Sequence, residues 1–153
     1  MELPEFNMFL ISFCIGLFAT TIMTIFEIPA WRKWKLEGVL EWHENQVLST
    51  KLFRLSESKT HVFGIFLLHF ANGGLGGIGF VLALILIPDT TSNLAFAGII
   101  YGVFLWVATL IPIHRPITGI SPWRHQNGML PMMTSLGGHL IYGITIGFVA
   151  NLF

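Results

Sequence analysis

His69-Phe-Ala-Asn-Gly-Gly-Leu-Gly-Gly-Ile-Gly-Phe80 contains GLGGIG, which satisfies G-x-G-x-x-G letter for letter. In a dinucleotide site such glycines admit a pyrophosphate only where a strand turns into a helix. Here the motif sits inside a continuous apolar run from Val62 to Pro88, and no strand precedes it. At about 1.5 Å per residue the glycines lie roughly 12 to 27 Å along a helix in hydrocarbon, where a diphosphate cannot be solvated. The stretch therefore reads as the middle of a membrane helix, and a nucleotide is excluded.

The rest of the chain agrees. Of its 153 residues 54% are hydrophobic and 10% are charged, far outside the range of soluble domains. Four runs, about 7–29, 62–88, 93–113 and 131–153, are long enough to cross a hydrocarbon core of about 30 Å. They are continuous rather than alternating, so they predict helices and not barrel strands. The expected fold is all-α: one transmembrane domain over 1–153, an integral membrane four-helix bundle in contact with the lipid bilayer, with linking segments 30–61 and 114–130. The formal net charge is zero, and no nucleic-acid partner is expected. MELPEF carries Glu2 and Glu5 where a secretory signal has Lys or Arg, so the first run is expected to stay as an anchor. Cys14 is the sole cysteine and forms no intrachain disulfide.

All eight Lys and Arg fall in the two linking segments: Arg32, Lys33, Lys35, Lys51, Arg54 and Lys59 in the first, Arg115 and Arg124 in the second. The positive-inside rule makes both segments cytoplasmic and both termini non-cytoplasmic, in the plasma membrane of a prokaryote; the acids Glu2, Glu5 and Asp89 count for little. Trp31, Trp34, Trp42 and Trp123 fall on the same basic side, as interfacial anchors do.

Small residues four apart recur on every span: Gly16/Thr20/Thr24, Gly73/Gly77, Gly98/Gly102 and Gly143/Gly147. They let helix backbones approach closely. His69-x-x-Asn72-Gly73-x-x-x-Gly77 also matches His139-x-x-Tyr142-Gly143-x-x-x-Gly147, and spans one and three both end in Ile-Pro, at Pro29 and Pro112. The chain thus reads as two helical hairpins related as a parallel repeat.

His69 and His139 each lie roughly 12 Å from the basic end of their spans. Helical spacing puts Asn72 and Gly73 beside His69, and Ser135, Tyr142 and Gly143 beside His139. Two roles compete. Neutral imidazoles interlock the helices by hydrogen bonds, or they bind a transition metal or act as the axial ligands of a haem b. Nearer the boundary Glu27, Glu41-Trp-His43-Glu44, His61, His114 and His125 supply carboxylate and imidazole groups that suit zinc, iron or copper. HENQV lacks the second His of a zinc-protease motif. Glu27 stands out, because a carboxylate inside a span needs Lys33, Arg115 or a histidine as partner. No nucleophile with a base, no paired carboxylates and no complete ligand set can be named, so no catalytic residue is assigned.

In the first linking segment Trp34, Leu36, Val39, Leu40, Val47, Leu48 and Leu52 are spaced for an apolar helix face. This predicts an interfacial amphipathic segment, broken near 45–50, which also offers a docking surface. HRPITGISPWRHQNGMLP, rich in prolines and turn residues, predicts an ordered loop rather than a helix.

Gly16-Leu-Phe-Ala-Thr-Thr-Ile-Met-Thr24 and Ser135-Leu-Gly-Gly-His-Leu-Ile-Tyr-Gly143 resemble the Gly-x-x-Ala-Thr-x-x-Met-Thr start and the final Gly-His-x-x-Tyr-Gly of small four-span prokaryotic membrane proteins of uncharacterised function. The resemblance covers about a third of the chain and implies the four-helix architecture but no activity. The compact profile is also similar to accessory subunits of copper-dependent ammonia and methane monooxygenases. The function expected from the sequence is an accessory or scaffolding subunit, with other membrane subunits or a second copy as partners. The alternatives are a haem- or metal-binding redox protein using His69 and His139, and a small-solute or ion transporter.

Overall fold

The computed structural model describes residues 6–56, 59–87 and 93–152; Glu2, Glu5, Pro88, Asp89 and Phe153 lie outside them. Helices run over Phe6–Trp34 (α1), Leu40–Phe53 (α2), Val62–Leu86 (α3), Leu94–Thr109 (α4), Arg115–Thr118 (α5) and Leu130–Ala150 (α6). A π-helical turn, Leu110–His114, joins α4 to α5, so the third span runs unbroken over Leu94–Thr118. Together with α1, α3 and α6 it makes four helices long and apolar enough to cross a membrane. The chain is an all-α four-helix membrane bundle, and no strand is present among the described residues.

Close packing follows the glycines. A β-carbon on Gly16 would strike the Gly73 carbonyl oxygen, and one on Gly77 the Ser12 carbonyl oxygen. In the second hairpin Gly98 abuts the Gly143 carbonyl oxygen and Gly147 that of Leu94. These are the same contacts twice, because Ser12 and Leu94 are as many residues apart as Gly16 and Gly98. The hairpins α1/α3 and α4/α6 share one backbone packing scheme, as the repeat requires. Pro29 and Pro112 are one residue further apart than Gly16 and Gly98. The π turn between Gly102 and His114 holds the extra residue.

Four sequence expectations change here. Pro29 and Pro112 do not end their helices, since α1 continues to Trp34 and the third span to Thr118. The first linking segment is not broken near 45–50: the break falls at Lys35, whose φ is 59°, and at the following 3-10 turn Leu36–Gly38. Nor does α2 lay an apolar face on the membrane. Glu44, Asn45, Gln46, Ser49 and Thr50 are buried alongside Leu40 and Trp42, while Leu52 and Phe53 are exposed. Packed against α3 and the π turn, α2 closes the basic end of the bundle with its polar face inward. The second linking segment, expected as a loop, is helical over Arg115–Thr118 and Pro122–Arg124.

The helix backbones form an open circuit, α3 beside α1, α1 beside α6, α6 beside α4, while α3 and α4 meet through side chains, with Phe80 against Tyr101 at a ring separation of 5.3 Å. Cross-links span the interior: Tyr142 donates to the Gly73 carbonyl oxygen at 2.6 Å and Tyr101 to that of Gly76 at 2.8 Å. Toward the end remote from α2 the core is Ala19, Met23, Phe80, Tyr142 and Ile146, apolar apart from the tyrosine hydroxyl.

Candidate functional site

Beneath α2 lies a cavity of about 130 Å³, lined among others by Glu41, Glu44, His69, Asn72, His139 and Tyr142. Around it, three carboxylates each face an imidazole. Glu27 Oε2 (α1) is 3.8 Å from His69 Nε2 (α3). Glu41 Oε1 (α2) is 3.4 Å from His139 Nδ1 (α6). Glu44 Oε1 (α2) is 2.8 Å from His114 Nδ1, at the end of the π turn. All four spans and α2 therefore contribute. Among the described residues no Lys or Arg lies within ion-pair distance of these carboxylates.

Glu27 and His114 are both 0% exposed. A carboxylate so placed needs donors, and Trp42 Nε1 donates to Glu27 Oε2 at 2.8 Å. Of the partners expected for Glu27, a histidine is nearby, whereas Lys33 lies over the Trp34 ring, 5.0 Å from its centroid. His139 Nδ1 is 3.0 Å from the Ser135 carbonyl oxygen, which can only accept. Nδ1 is therefore the donor in that contact. Ser135 Oγ donates to Glu41 Oε1. Left buried without a hydrogen-bond partner are Glu27 Oε1, Glu41 Oε2, His69 Nε2 and His114 Nε2. Glu41 is the hub, within electrostatic reach of Glu27, His69 and Glu44.

Outside the spans, burial raises the Glu44 carboxyl above the usual carboxylate range, against the lowering effect of its bond to His114. Burial and the neighbouring His114 hold the His43 imidazole below its ordinary value.

The residues singled out from sequence are regrouped. Glu27 joins His69, not the interfacial set. Glu44 lines the same cavity and His114 reaches it through its bond to Glu44, with His43 against His114 at a ring separation of 6.0 Å. His125 is buried and accepts the Asn127 N–H at 3.1 Å. His61 stands apart, its Nε2 2.8 Å from the Ser56 carbonyl oxygen. Sequence reasoning named Glu41 only as part of the Glu41-Trp-His43-Glu44 stretch and read Trp42 as an interfacial anchor; it placed neither beside Glu27 and His139. The signal for Glu41 was its i, i+3 spacing from Glu44, which puts both carboxylates on one helix face.

A cavity of about 130 Å³ has no room for a haem, since cofactor sites span roughly 300–1,000 Å³. Nor do any three His, Cys, Asp or Glu side chains among the described residues stand close enough to hold a metal ion without moving. The arrangement as it stands can hold and exchange protons between carboxylate and imidazole, and it offers oxygen and nitrogen lone pairs to a cation. No family model, curated protein or solved structure matches the chain.

Proposed function

We propose that the chain is a membrane-embedded metal-binding protein whose cavity takes one divalent transition-metal ion through Glu27, His69, Glu41 and His139. The observation that carries this reading is His69 Nε2, a buried nitrogen with no hydrogen-bond partner, 3.8 Å from Glu27 Oε2. That is too long for a hydrogen bond and near the roughly 3.3–3.6 Å between two ligands of one tetrahedral ion. Glu41 Oε2 is likewise unpartnered, and turning it toward the pair supplies a third ligand. His139 presents Nε2 while its Nδ1–H is held by a backbone carbonyl, the outer-shell arrangement that orients metal-ligating histidines. A dication also compensates carboxylates buried without Lys or Arg. Mixed nitrogen and oxygen donors favour iron, zinc or manganese over soft copper(I).

By the positive-inside rule we assign the basic end, with α2 and the site, to the cytoplasmic face. The glycine packing is used within the chain, so it gives no support to a scaffolding role. A transport path is disfavoured by the apolar core beyond Tyr142.

Metal analysis of the purified chain after reconstitution tests the proposal. The expected result is roughly one ion per chain, with affinity lowered by about tenfold or more in His69→Ala and in Glu41→Gln. A chain that takes up no metal, or that holds it equally in both variants, overturns the reading.

A further inference from the structure

Both carboxylates of the proposed site are restrained by a neighbouring donor. Glu27 Oε2 accepts the Trp42 indole N–H at 2.8 Å, and a carboxylate oxygen has a second lone pair with which to bind an ion. Glu27 Oε1 lies in a notch on α6, where a β-carbon on Gly138 would stand 2.9 Å from it. Turning both oxygens toward His69 would break the indole bond and draw Oε1 out of that notch. Glu41 is held in a similar way: the Ser135 hydroxyl donates to Oε1 and leaves Oε2 free. Neither carboxylate is set to chelate an ion with both oxygens.

Both donors are themselves fixed. Trp42 is buried in a cluster with Ala30, Val39 and Ile65 and meets Phe66 edge-on at a ring separation of 5.0 Å. The same ring stands edge-on to His69 at 6.3 Å. One side chain of α2 therefore adjoins both members of the Glu27–His69 pair. Its indole N–H is a donor only, with no lone pair to offer an ion, so it can act on the site solely through the carboxylate it holds. Ser135 is buried on α6, and its backbone carbonyl oxygen accepts from His139 Nδ1 while its hydroxyl serves Glu41.

We infer that Trp42 and Ser135 determine which ion the site takes: each restricts one carboxylate to a single ligating oxygen, so that the cavity selects zinc over manganese. The inference rests on the metal reading and narrows it. With both restraints in place the donors are Glu27 Oε2, His69 Nε2, Glu41 Oε2 and His139 Nε2. That is the ligand number and the mixture of nitrogen and oxygen that a tetrahedral zinc ion accepts. Manganese favours six ligands, mostly oxygen, and here would complete its shell with neutral water in place of the second carboxylate oxygens. Releasing either carboxylate lets it chelate, which benefits the six-coordinate ion more than the four-coordinate one. Trp42 and Ser135 are positioning residues, because they act through Glu27 and Glu41 and touch no ion.

The test measures zinc and manganese affinities of the full chain in nanodiscs, for the parent, Trp42→Phe and Ser135→Ala, with cobalt(II) as a spectroscopic probe. Trp42→Phe keeps an aromatic ring and removes the donor. Ser135→Ala leaves the aromatic cluster untouched, so one variant remains informative if the other does not fold. In each, zinc affinity is expected to fall about tenfold, as on loss of a group that orients a ligand, and manganese affinity to fall less. The zinc-to-manganese ratio therefore narrows. Cobalt(II) in the parent should show the intense visible absorption of a tetrahedral ion, weakened in the variants as the ligand number rises. A side chain that serves packing alone would lower both affinities together, leaving the ratio and the cobalt band as they were. That outcome, or a parent chain that prefers manganese, overturns this inference and leaves the metal reading standing. A parent that binds none of the three ions sinks the metal reading and this inference with it.

Discussion

The two hairpins share a backbone and differ in chemistry. In each, glycines on one helix seat against carbonyl oxygens of the other, at equivalent positions. Each also carries a histidine at the same place, His69 and His139. Yet the first supplies a fully buried carboxylate, Glu27, whereas the second supplies a π turn that carries His114 to Glu44. Positions where backbones touch tolerate no side chain, and so remain alike. Positions facing the space between hairpins meet different neighbours, including α2, which has no counterpart in the second half, and are free to diverge.

Three measurements would break or sharpen this comparison. The largest effect is expected from Gly98→Ala and Gly16→Ala, each placing a β-carbon against a carbonyl oxygen that cannot move without its helix. Each should cost about 3 kcal/mol, read from unfolding in detergent, because overpacking against backbone is not relieved by rotamer change. Similar losses support one shared scheme; if one variant is nearly neutral, the equivalence of the hairpins fails.

A smaller loss is expected on deleting Ile111, which removes the additional residue of the π turn and rotates His114 away from Glu44. The newly unpaired buried carboxylate should cost about 1–3 kcal/mol. Adding Glu44→Gln to the deletion should then change stability less than it does in the parent chain. Full additivity would mean that the π turn does not serve this bond.

The smallest effect is in pH dependence. Glu44 has its folded pKa raised above the ordinary carboxylate value, mainly by burial, with His114, Glu41 and His139 facing it. Between the unfolded and folded values the native state binds more protons than the unfolded state, so its contribution is complete below about pH 4.5 and lost as pH rises through the folded value. Stability of the metal-free protein should therefore fall as pH rises through that window, and less so in Glu44→Gln. An identical pH profile in the variant would show that Glu44 ionises as freely folded as unfolded.

Much of the architecture was legible because hydrocarbon leaves the backbone few choices. Four apolar runs of sufficient length had to be helices, and glycines four apart had to face one another. His69 and His139 could be set at one depth by counting residues. What was misread lay at the basic end. Leucine spacing in the first linking segment suggested an apolar face on lipid, whereas α2 turns Glu44, Asn45 and Gln46 inward, where His114 and the Lys59 and His61 backbone give Glu44 and Gln46 partners that the bilayer does not. Periodicity reports which residues share a face and not what that face meets. Pro112 likewise signalled a helix end, yet a π turn absorbs it.

From its sequence alone the chain was determined to be a helical membrane bundle, with its charge gathered at one end and its helices brought close by glycine, since these follow from local composition and the cost of unpaired backbone in lipid. The convergence of Glu27, Glu41 and Glu44 with His69, His139 and His114, and the closer approach of α1 to α6 than of α3 to α4, were decided by tertiary structure. Each depends on contacts between residues far apart in the chain, such as Glu44 with His114 or Tyr101 with Gly76, and no local pattern encodes which of two similar helix faces a third helix will meet.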